Sequence, residues 1–188
     1  MSNYRLTDEQ RQLKEAARRF AEDQLRPIAL EVEARGGELS RETLKLMAEN
    51  GYVGLDIPPE YGGLGLDTLS CAIILEEISS AWFSAATHSM TLLTGPLLAF
   101  GTEEQKQKYL PGIASGDIIN AFALTEPDAG SDASSIQTFA RQDGDDWIIN
   151  GRKIYITNGA RADLIVLFAR TEKDAPRGGG ITLFLIEK

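Results

Sequence analysis

Hydrophobic residues recur at helical spacing up to about residue 117 and at alternate positions after it. Leu6, Leu13, Ala17, Phe20 and Gln24 fall at three-, four- and seven-residue steps, which predicts one amphipathic helix from about Thr7. Thr7 or Asp8 can cap it, and Pro27 ends it or starts a short helix after it. Ser40 caps a second helix with Leu44, Met47 and Ala48 inward, and Gly51 stops it. The glycines and prolines of residues 51–65 demand a loop. Asp67 then caps an apolar helix through Leu69, Ala72, Ile73, Leu75, Glu76 and Ile78. Ala85 to Phe100 is apolar all round and reads as a buried helix broken at Gly95-Pro96. Thr102 and Gln105 form a capping box for a helix to about Tyr109.

From residue 117 the period is two. Ile119, Ala121, Ala123 and Thr125 alternate with Asn120, Phe122 and Leu124. Thr138–Gln142 and Trp147–Asn150 flank Asp143-Gly144-Asp145-Asp146, a hairpin signal. Lys153–Thr157, Leu164–Thr171 and Ile181–Glu187 read as three more strands, the last preceded by a flexible turn at Arg177–Gly180. Helices followed by strands predict an α+β protein. The expected parts are an all-α helical bundle over residues 1–116 and a mostly antiparallel, barrel-like β-domain over 117–188. The sequence stops at Lys188, directly after the last predicted strand, so this second domain is expected to be incomplete at its C-terminal end.

Composition narrows the function. The chain has 188 residues, 43% hydrophobic and 25% charged, as in ordinary soluble proteins. Its 28 acidic against 19 basic residues give a net charge of −9, which argues against nucleic acid as the main partner. One cysteine, Cys71, allows no intrachain disulfide. Met1–Glu9 has neither the apolar core of a signal peptide nor the acid-poor character of a transit peptide, and no apolar run reaches the ~20 residues of a membrane span. The chain therefore reads as cytoplasmic. No metal site is expected, because His88 has no partner His or Cys nearby.

Two segments carry candidate chemistry. In Phe122–Asp132 a strand delivers Thr125 into a turn: Pro127 lacks an N–H and pushes Glu126 out of the helical region, and Ala129-Gly130-Ser131 permits close backbone approach to a ligand. A plain β-turn with surface acids would use the same residues. In Ile149–Ala160, Asn150-Gly151 is a hairpin-turn pair, and on a strand Tyr155 and Thr157 would share one face, fit to stack on a planar ring and bond its edge. Tyr155 as a core residue and Thr157 as a β-former explain that pattern equally. Gly62-Gly63-Leu64-Gly65 lacks the strand and βαβ context of a dinucleotide fingerprint.

Together these segments resemble a known family. Thr125-Glu126-Pro127 with Gly130-Ser131-Asp132, then Asn150-Gly151-Arg152-Lys153 and Ile156-Thr157-Asn158-Gly159, are similar to the acyl-CoA dehydrogenase signature. Thr7–Gln10, Pro58–Gly63, Phe100–Lys106 and Lys108–Pro111 extend the resemblance over nearly the whole chain, in family order.

The resemblance implies an FAD-dependent enzyme that introduces an α,β double bond into an acyl-CoA thioester, here as its N-terminal and middle portions. It implies that Phe122, Ala123, Leu124, Thr125, Gly130 and Ser131 run along the flavin, with Leu124 and Thr125 at its pyrimidine edge. Tyr155-Ile156-Thr157 would cover one ring face, with Thr157 donating to N5, and Ser131 would contact the CoA part of the substrate. In the family the catalytic base is a Glu in a C-terminal helical domain. None of Glu76, Glu77, Glu103, Glu104 and Glu126 matches it, so no catalytic residue is expected in this chain, which alone should be inactive. The implied partners are an acyl-CoA, an electron-transfer flavoprotein and further copies of the subunit as a homotetramer. The alternatives are a non-catalytic FAD- or acyl-CoA-binding or assembly module, and an acyl-CoA oxidase of the same superfamily.

Overall fold

The computed structural model describes residues 5–90 and 92–188. Met1–Tyr4 of the leader reading and Thr91 of the Ala85–Phe100 stretch lie outside the described residues. The chain divides into two compact units, one up to Asp117 and one over Ile118–Lys188.

The first unit is helical. Helix α1, Asp8–Phe20, starts in a capping box in which the Thr7 hydroxyl accepts from the Gln10 N–H and the Gln10 side chain accepts from the Thr7 N–H. Of the two alternatives at Pro27, the second holds: it stands in the first turn of a short helix. A π-helical turn, Ala21–Leu25, carries the chain into α2, Arg26–Ala34, with the Arg26 N–H bonded to the Ala21 carbonyl. Widening the helix there accommodates a proline that has no N–H to give and whose ring crowds the preceding turn. The extra residue rotates the buried face, so Ala21 and Leu25 turn inward while Gln24 is exposed.

Helix α3, Arg41–Glu49, is capped by Ser40 and buries Leu44 and Met47. The Asp67 carboxylate accepts from the N–H groups of Leu69 and Ser70 and starts α4, Thr68–Ala81. Glu77 is buried on α4 against α1, where Arg18 Nε and Nη2 donate to it at 2.9 and 3.0 Å and Lys14 Nζ lies at 3.3 Å. The segment expected as a buried helix broken at Gly95-Pro96 is indeed broken, into α5, Phe83–Ser89, and α6, Thr94–Phe100. The break precedes Gly95-Pro96, because a proline in the first turn loses no helical bond. Leu92 and Phe100 are exposed rather than buried. Helix α7, Glu103–Ala114, keeps its predicted capping box but continues past Tyr109 through Pro111. The Tyr61 hydroxyl donates to Glu103 at 2.7 Å, and that bond first, then burial, pushes the phenol up to about 12. A Cβ on Gly63 would sit 2.1 Å from the Ile57 carbonyl oxygen, so this glycine is required for packing, consistent with rejecting the Gly-rich run as a nucleotide loop.

The second unit is a five-stranded sheet: β1 Asn120–Ala123, β2 Phe139–Asp143, β3 Asp146–Asn150, β4 Leu164–Arg170 and β5 Ile181–Glu187. Most of its paired residues are antiparallel, as expected, but the sheet is mixed. β1 runs parallel to β4 in the register Asn120↔Leu164 to Ala123↔Leu167, and β2 meets the far end of the same strand in parallel at Phe139↔Arg170. Only β2–β3 and β4–β5 are antiparallel. The reason lies in the connection: a long irregular excursion and a hairpin separate β1 from β4, so the chain returns in the same direction. The hairpin turns at Gly144-Asp145 as predicted. Trp147 of β3 meets Phe184 of β5 edge-on at 5.3 Å, which brings the hairpin toward β5.

Lys153–Thr157 is not a strand. Tyr155 has φ +56° and Asn158 φ +62°, both left-handed, so side-chain alternation does not apply across them. Asn150-Gly151 makes no hairpin turn either. Asn150 ends β3, and Gly151 is needed because a Cβ there would lie 2.2 Å from the Thr138 hydroxyl oxygen. No described helix is long and apolar enough to cross a membrane.

Candidate flavin-facing site

The two candidate segments lie side by side in the second unit. The Ile154 N–H donates to the Thr125 carbonyl at 3.0 Å, and the Asn158 side-chain amide donates to the Asn120 carbonyl at 3.3 Å. Residues 154–158 therefore run antiparallel along β1 and its extension without forming a regular ladder. Glu126 and Ala129 exchange both backbone bonds, at 3.0 and 3.2 Å, closing the turn around Pro127-Asp128.

At the junction sits a buried ion pair. The Lys153 ammonium donates to Glu126 Oε1 at 2.8 Å and to the Leu124 carbonyl at 2.9 Å. Glu126 also accepts from the N–H groups of Thr138 at 2.9 Å and Gln137 at 2.6 Å. Its side chain is 5% exposed and that of Lys153 9%. Burial is the largest single influence on this carboxyl and opposes its ionisation. The bonds from Lys153, Thr138 and Gln137 together outweigh burial and bring the carboxyl down to about 2. Glu126 is thus not the surface acid of a plain β-turn. It is ionised and committed to three donors, which excludes it as a proton-abstracting base.

The expected cofactor residues fall into two groups. Ala123 is buried, and Phe122 packs on Phe168 with ring centroids 4.9 Å apart, so both belong to the sheet's own packing. Leu124, Thr125 and Ile156 are half-buried. Gly130, Ser131, Tyr155 and Thr157 are exposed, Tyr155 by 91%. That exposure rules out Tyr155 as a core residue. Among the described residues, the hydroxyls of Thr125, Ser131, Tyr155 and Thr157 have no hydrogen-bond partner. A Cβ on Gly130 would meet nothing within 4 Å, so no contact inside the chain requires glycine there. The structure brings Leu124 and Thr125 against the strip that bears Tyr155, Ile156 and Thr157; Gly130 and Ser131 lie beyond the turn.

The loop after Ser131 is held by cations the sequence did not single out. Arg170 donates to the carbonyls of Ser134, Ile136 and Gly179, and Arg177 donates to Asp132 at 3.0 Å. The hydroxyls of Ser134 and Ser135 donate to Asp132 and, with Arg177, hold its carboxyl at about 2. Gly179 and Gly180 are bonded into this turn rather than forming a free linker, since the Gly180 carbonyl accepts from the Thr171 N–H at 2.8 Å. Lys153 was the principal omission. It directly follows the exposed Arg152, and nothing local in the sequence tells which of the two cations turns inward. A cleft of about 320 Å³ opens between the Glu126–Asp128 turn, Gln137-Thr138 and Gly151-Arg152, and none of the expected cofactor residues lines it.

In the first unit, Cys71 is buried and its thiol faces the Leu66 carbonyl at 3.7 Å, a core position. His88 is buried on α5. The described residues contain no His, Cys, Asp and Glu grouping that could hold a metal ion.

Sequence comparison agrees with this architecture. Residues 7–117 match the acyl-CoA dehydrogenase N-terminal domain and residues 121–188 the middle domain, so the chain belongs to the acyl-CoA dehydrogenase family. It is 44% identical over 185 residues to a 3-(aryl)acrylate reductase of Clostridium sporogenes, covering 96% of this chain and 48% of that protein. A chain in the structure of the electron transferring flavoprotein of Acidaminococcus fermentans is similar at 42% identity and TM-score 0.88, over 100% of this chain and 50% of that one. Glutaryl-CoA dehydrogenase from Mycobacterium smegmatis in complex with FADH2 is similar at 32% identity and TM-score 0.85, over 97% of this chain and 46% of that one. The chain spans about half the length of the curated relatives it matches.

Proposed function

We propose that the chain is the N-terminal and middle portion of an FAD-dependent oxidoreductase that introduces an α,β double bond into an acyl-CoA thioester, with the flavin-facing strip in its second unit. Residues 1–116 are the helical domain in this reading and 117–188 the middle domain. The carrying observation is the strip itself: an exposed aromatic ring at Tyr155 and unpartnered hydroxyls at Thr125 and Thr157, on two segments laced together by backbone bonds. A planar heteroaromatic ring with a polar edge fits that set. The M. smegmatis neighbour, crystallised with FADH2, supports the cofactor. The C. sporogenes relative is named for reducing an acrylate, so the direction of the reaction is a further variable within the family.

When bound, FAD supplies the acceptor for hydride from the substrate β-carbon. The chain's own residues orient and polarise. Tyr155 covers one ring face, and the Thr157 hydroxyl donates at N5, where a preorganised donor stabilises developing negative charge. Thr125 serves the pyrimidine edge. Leu124 serves it through its backbone, whose carbonyl also accepts from the Lys153 ammonium. Gly130 admits the ligand closely, and Ser131 takes the CoA portion. In this reading the proton-abstracting carboxylate is the C-terminal-domain Glu that the family resemblance implies, and Glu126, held by Lys153 and two backbone N–H groups, does not stand in for it. An electron-transfer flavoprotein exchanges electrons with the reduced cofactor, a reading the A. fermentans structure supports. The subunits associate as a homotetramer in the cytoplasm.

The test is Thr157→Val in the natural full-length protein. Flavin reduction by acyl-CoA should slow about tenfold while FAD remains bound, the cost of one hydrogen bond made in the transition state. Equal rates in stopped flow at saturating substrate would sink the assignment. A protein that holds FAD but is reduced by no acyl thioester is a binding module instead, and rapid reoxidation by oxygen makes it an oxidase.

A further inference from the structure

We propose that Lys153 is the positioning residue of the flavin site: its ammonium clamps the Leu124–Glu126 segment to the Tyr155–Thr157 strip and so sets where Thr125, Tyr155 and Thr157 stand. The inference rests on the flavin reading above and adds to it a residue that touches neither cofactor nor substrate.

The geometry is specific. Two consecutive residues, Lys153 and Ile154, hold three consecutive residues on the other segment. Lys153 Nζ takes the Leu124 carbonyl at 2.9 Å and the Glu126 carboxylate at 2.8 Å, and the Ile154 N–H takes the Thr125 carbonyl between them at 3.0 Å. Glu126 is in turn fixed by the N–H groups of Gln137 and Thr138, so the clamp is anchored to the start of β2. The next residue is Tyr155, whose φ of +56° costs a side-chain-bearing residue about 1–2 kcal/mol. A strained, 91%-exposed tyrosine has no packing of its own to hold it. Its conformation is determined by its flanks, Lys153-Ile154 on one side and Asn158 on the Asn120 carbonyl on the other. Strain of this kind persists only where the surroundings over-determine it.

A purely structural ion pair predicts something different. It would lower the melting temperature when broken but leave the environment of the bound flavin unchanged. A positioning residue alters that environment in a protein that remains folded. The experiment uses the natural full-length protein reconstituted with FAD, in wild-type, Lys153→Met and Lys153→Arg forms. FAD affinity is read by fluorescence quenching, the flavin environment by its longest-wavelength absorption band and reduction potential, and folding by circular dichroism. Lys153→Met should raise the FAD Kd about tenfold and shift both band and potential while the helical signal is retained. Lys153→Arg keeps the charge but spreads its donors over a planar fork, and should shift the band with a smaller loss of affinity. Wild-type Kd, band and potential in Lys153→Met overturn the inference while leaving the flavin reading intact. If Lys153→Met does not fold, Lys153→Arg decides: a shifted band at an unchanged melting temperature supports positioning, and a wild-type band and Kd overturn it. A wild-type protein that takes up no FAD overturns the flavin reading and this inference with it.

Discussion

Each unit of this chain buries a carboxylate, and the two do so in different settings. Glu77 lies between α1 and α4, two regular helices that satisfy their own backbone bonds and need the pair only to fix how they meet. Its partner Arg18 is 60% exposed, and Lys14 stands by as a second cation. Glu126 lies where there is no regular structure. Its oxygens take the backbone N–H groups of Gln137 and Thr138 as well as the single buried ammonium of Lys153. The first pair is redundant and half-solvated. The second replaces the hydrogen-bond ladder that secondary structure would have provided, beside the segments that carry the free hydroxyls. Buried charge is expensive, and Glu126 has a single countercharge where Glu77 has two.

The largest effect expected from this contrast is on stability. Lys153→Met leaves Glu126 buried with no countercharge and should lower the unfolding free energy by about 3–5 kcal/mol. That still leaves a typical domain folded. Arg18→Met should cost less than about 1 kcal/mol, because the position is exposed and Lys14 remains. Urea unfolding of the two variants measures both. Equal losses would erase the distinction between the pairs.

Acid sharpens the same comparison. The Glu126 carboxyl is held at about 2, below the ordinary value of 4.5. A lowered folded-state value means the stabilisation is fully present above about 4.5 and is lost as pH falls through 2. The amount is about 3 kcal/mol. Glu77 is lowered in the same sense, by Arg18 against the opposing effect of burial and with Lys14 assisting. Because Lys153→Met weakens the hold on Glu126, its acid transition should begin at higher pH than the wild type's. An unchanged acid midpoint in this variant would mean the backbone N–H groups alone hold the charge.

Much of the helical unit was legible because its signals are local. The Thr7 and Thr102 capping boxes and the Ser40 and Asp67 caps each depend on residues two or three apart. The misses there come from prolines: Pro96 lies in a first turn and Pro111 inside α7, whereas Pro27 starts a short helix as one of its two readings had it, reached through a π-helical turn. The strand unit was read correctly where pairing is local, at the Gly144 hairpin, and less well where it is not. Parallel pairing of β1 with β4 joins residues 44 apart at Asn120↔Leu164. Lys153–Thr157 alternates like a strand in sequence, yet the left-handed Tyr155 ends that pattern. Here a tertiary clamp prevails over local preference.

Gly151 offers a smaller, independent test of the close packing beside the clamp. An added Cβ would lie 2.2 Å from the Thr138 hydroxyl oxygen and 2.6 Å from its Cα, so backbone must move. Gly151→Ala should cost about 1–3 kcal/mol by overpacking. Gly130→Ala, with open space around it, should leave the apo-protein's stability unchanged. If thermal unfolding ranks the two alike, close approach at Gly151 is not what requires glycine.

The smallest expected effect has the opposite sign. Tyr155→Gly removes a side chain from a left-handed position and relieves about 1–2 kcal/mol of backbone strain. Glycine returns part of that by loosening the unfolded chain, roughly 0.5–1 kcal/mol. Little packing is lost, because the ring is 91% exposed. The apo-protein should therefore gain up to about 1 kcal/mol, while its FAD Kd rises for want of a ring to stack on the flavin. A residue retained against its own conformational preference, in the strand unit alone, is the counterpart of α1 and α4, where local preference and final structure agree. Denaturant midpoints without cofactor and FAD titration with it measure the two halves separately. A Tyr155→Gly protein that is less stable and binds FAD as before would show the ring serving the fold, and would move the flavin contact elsewhere on the strip.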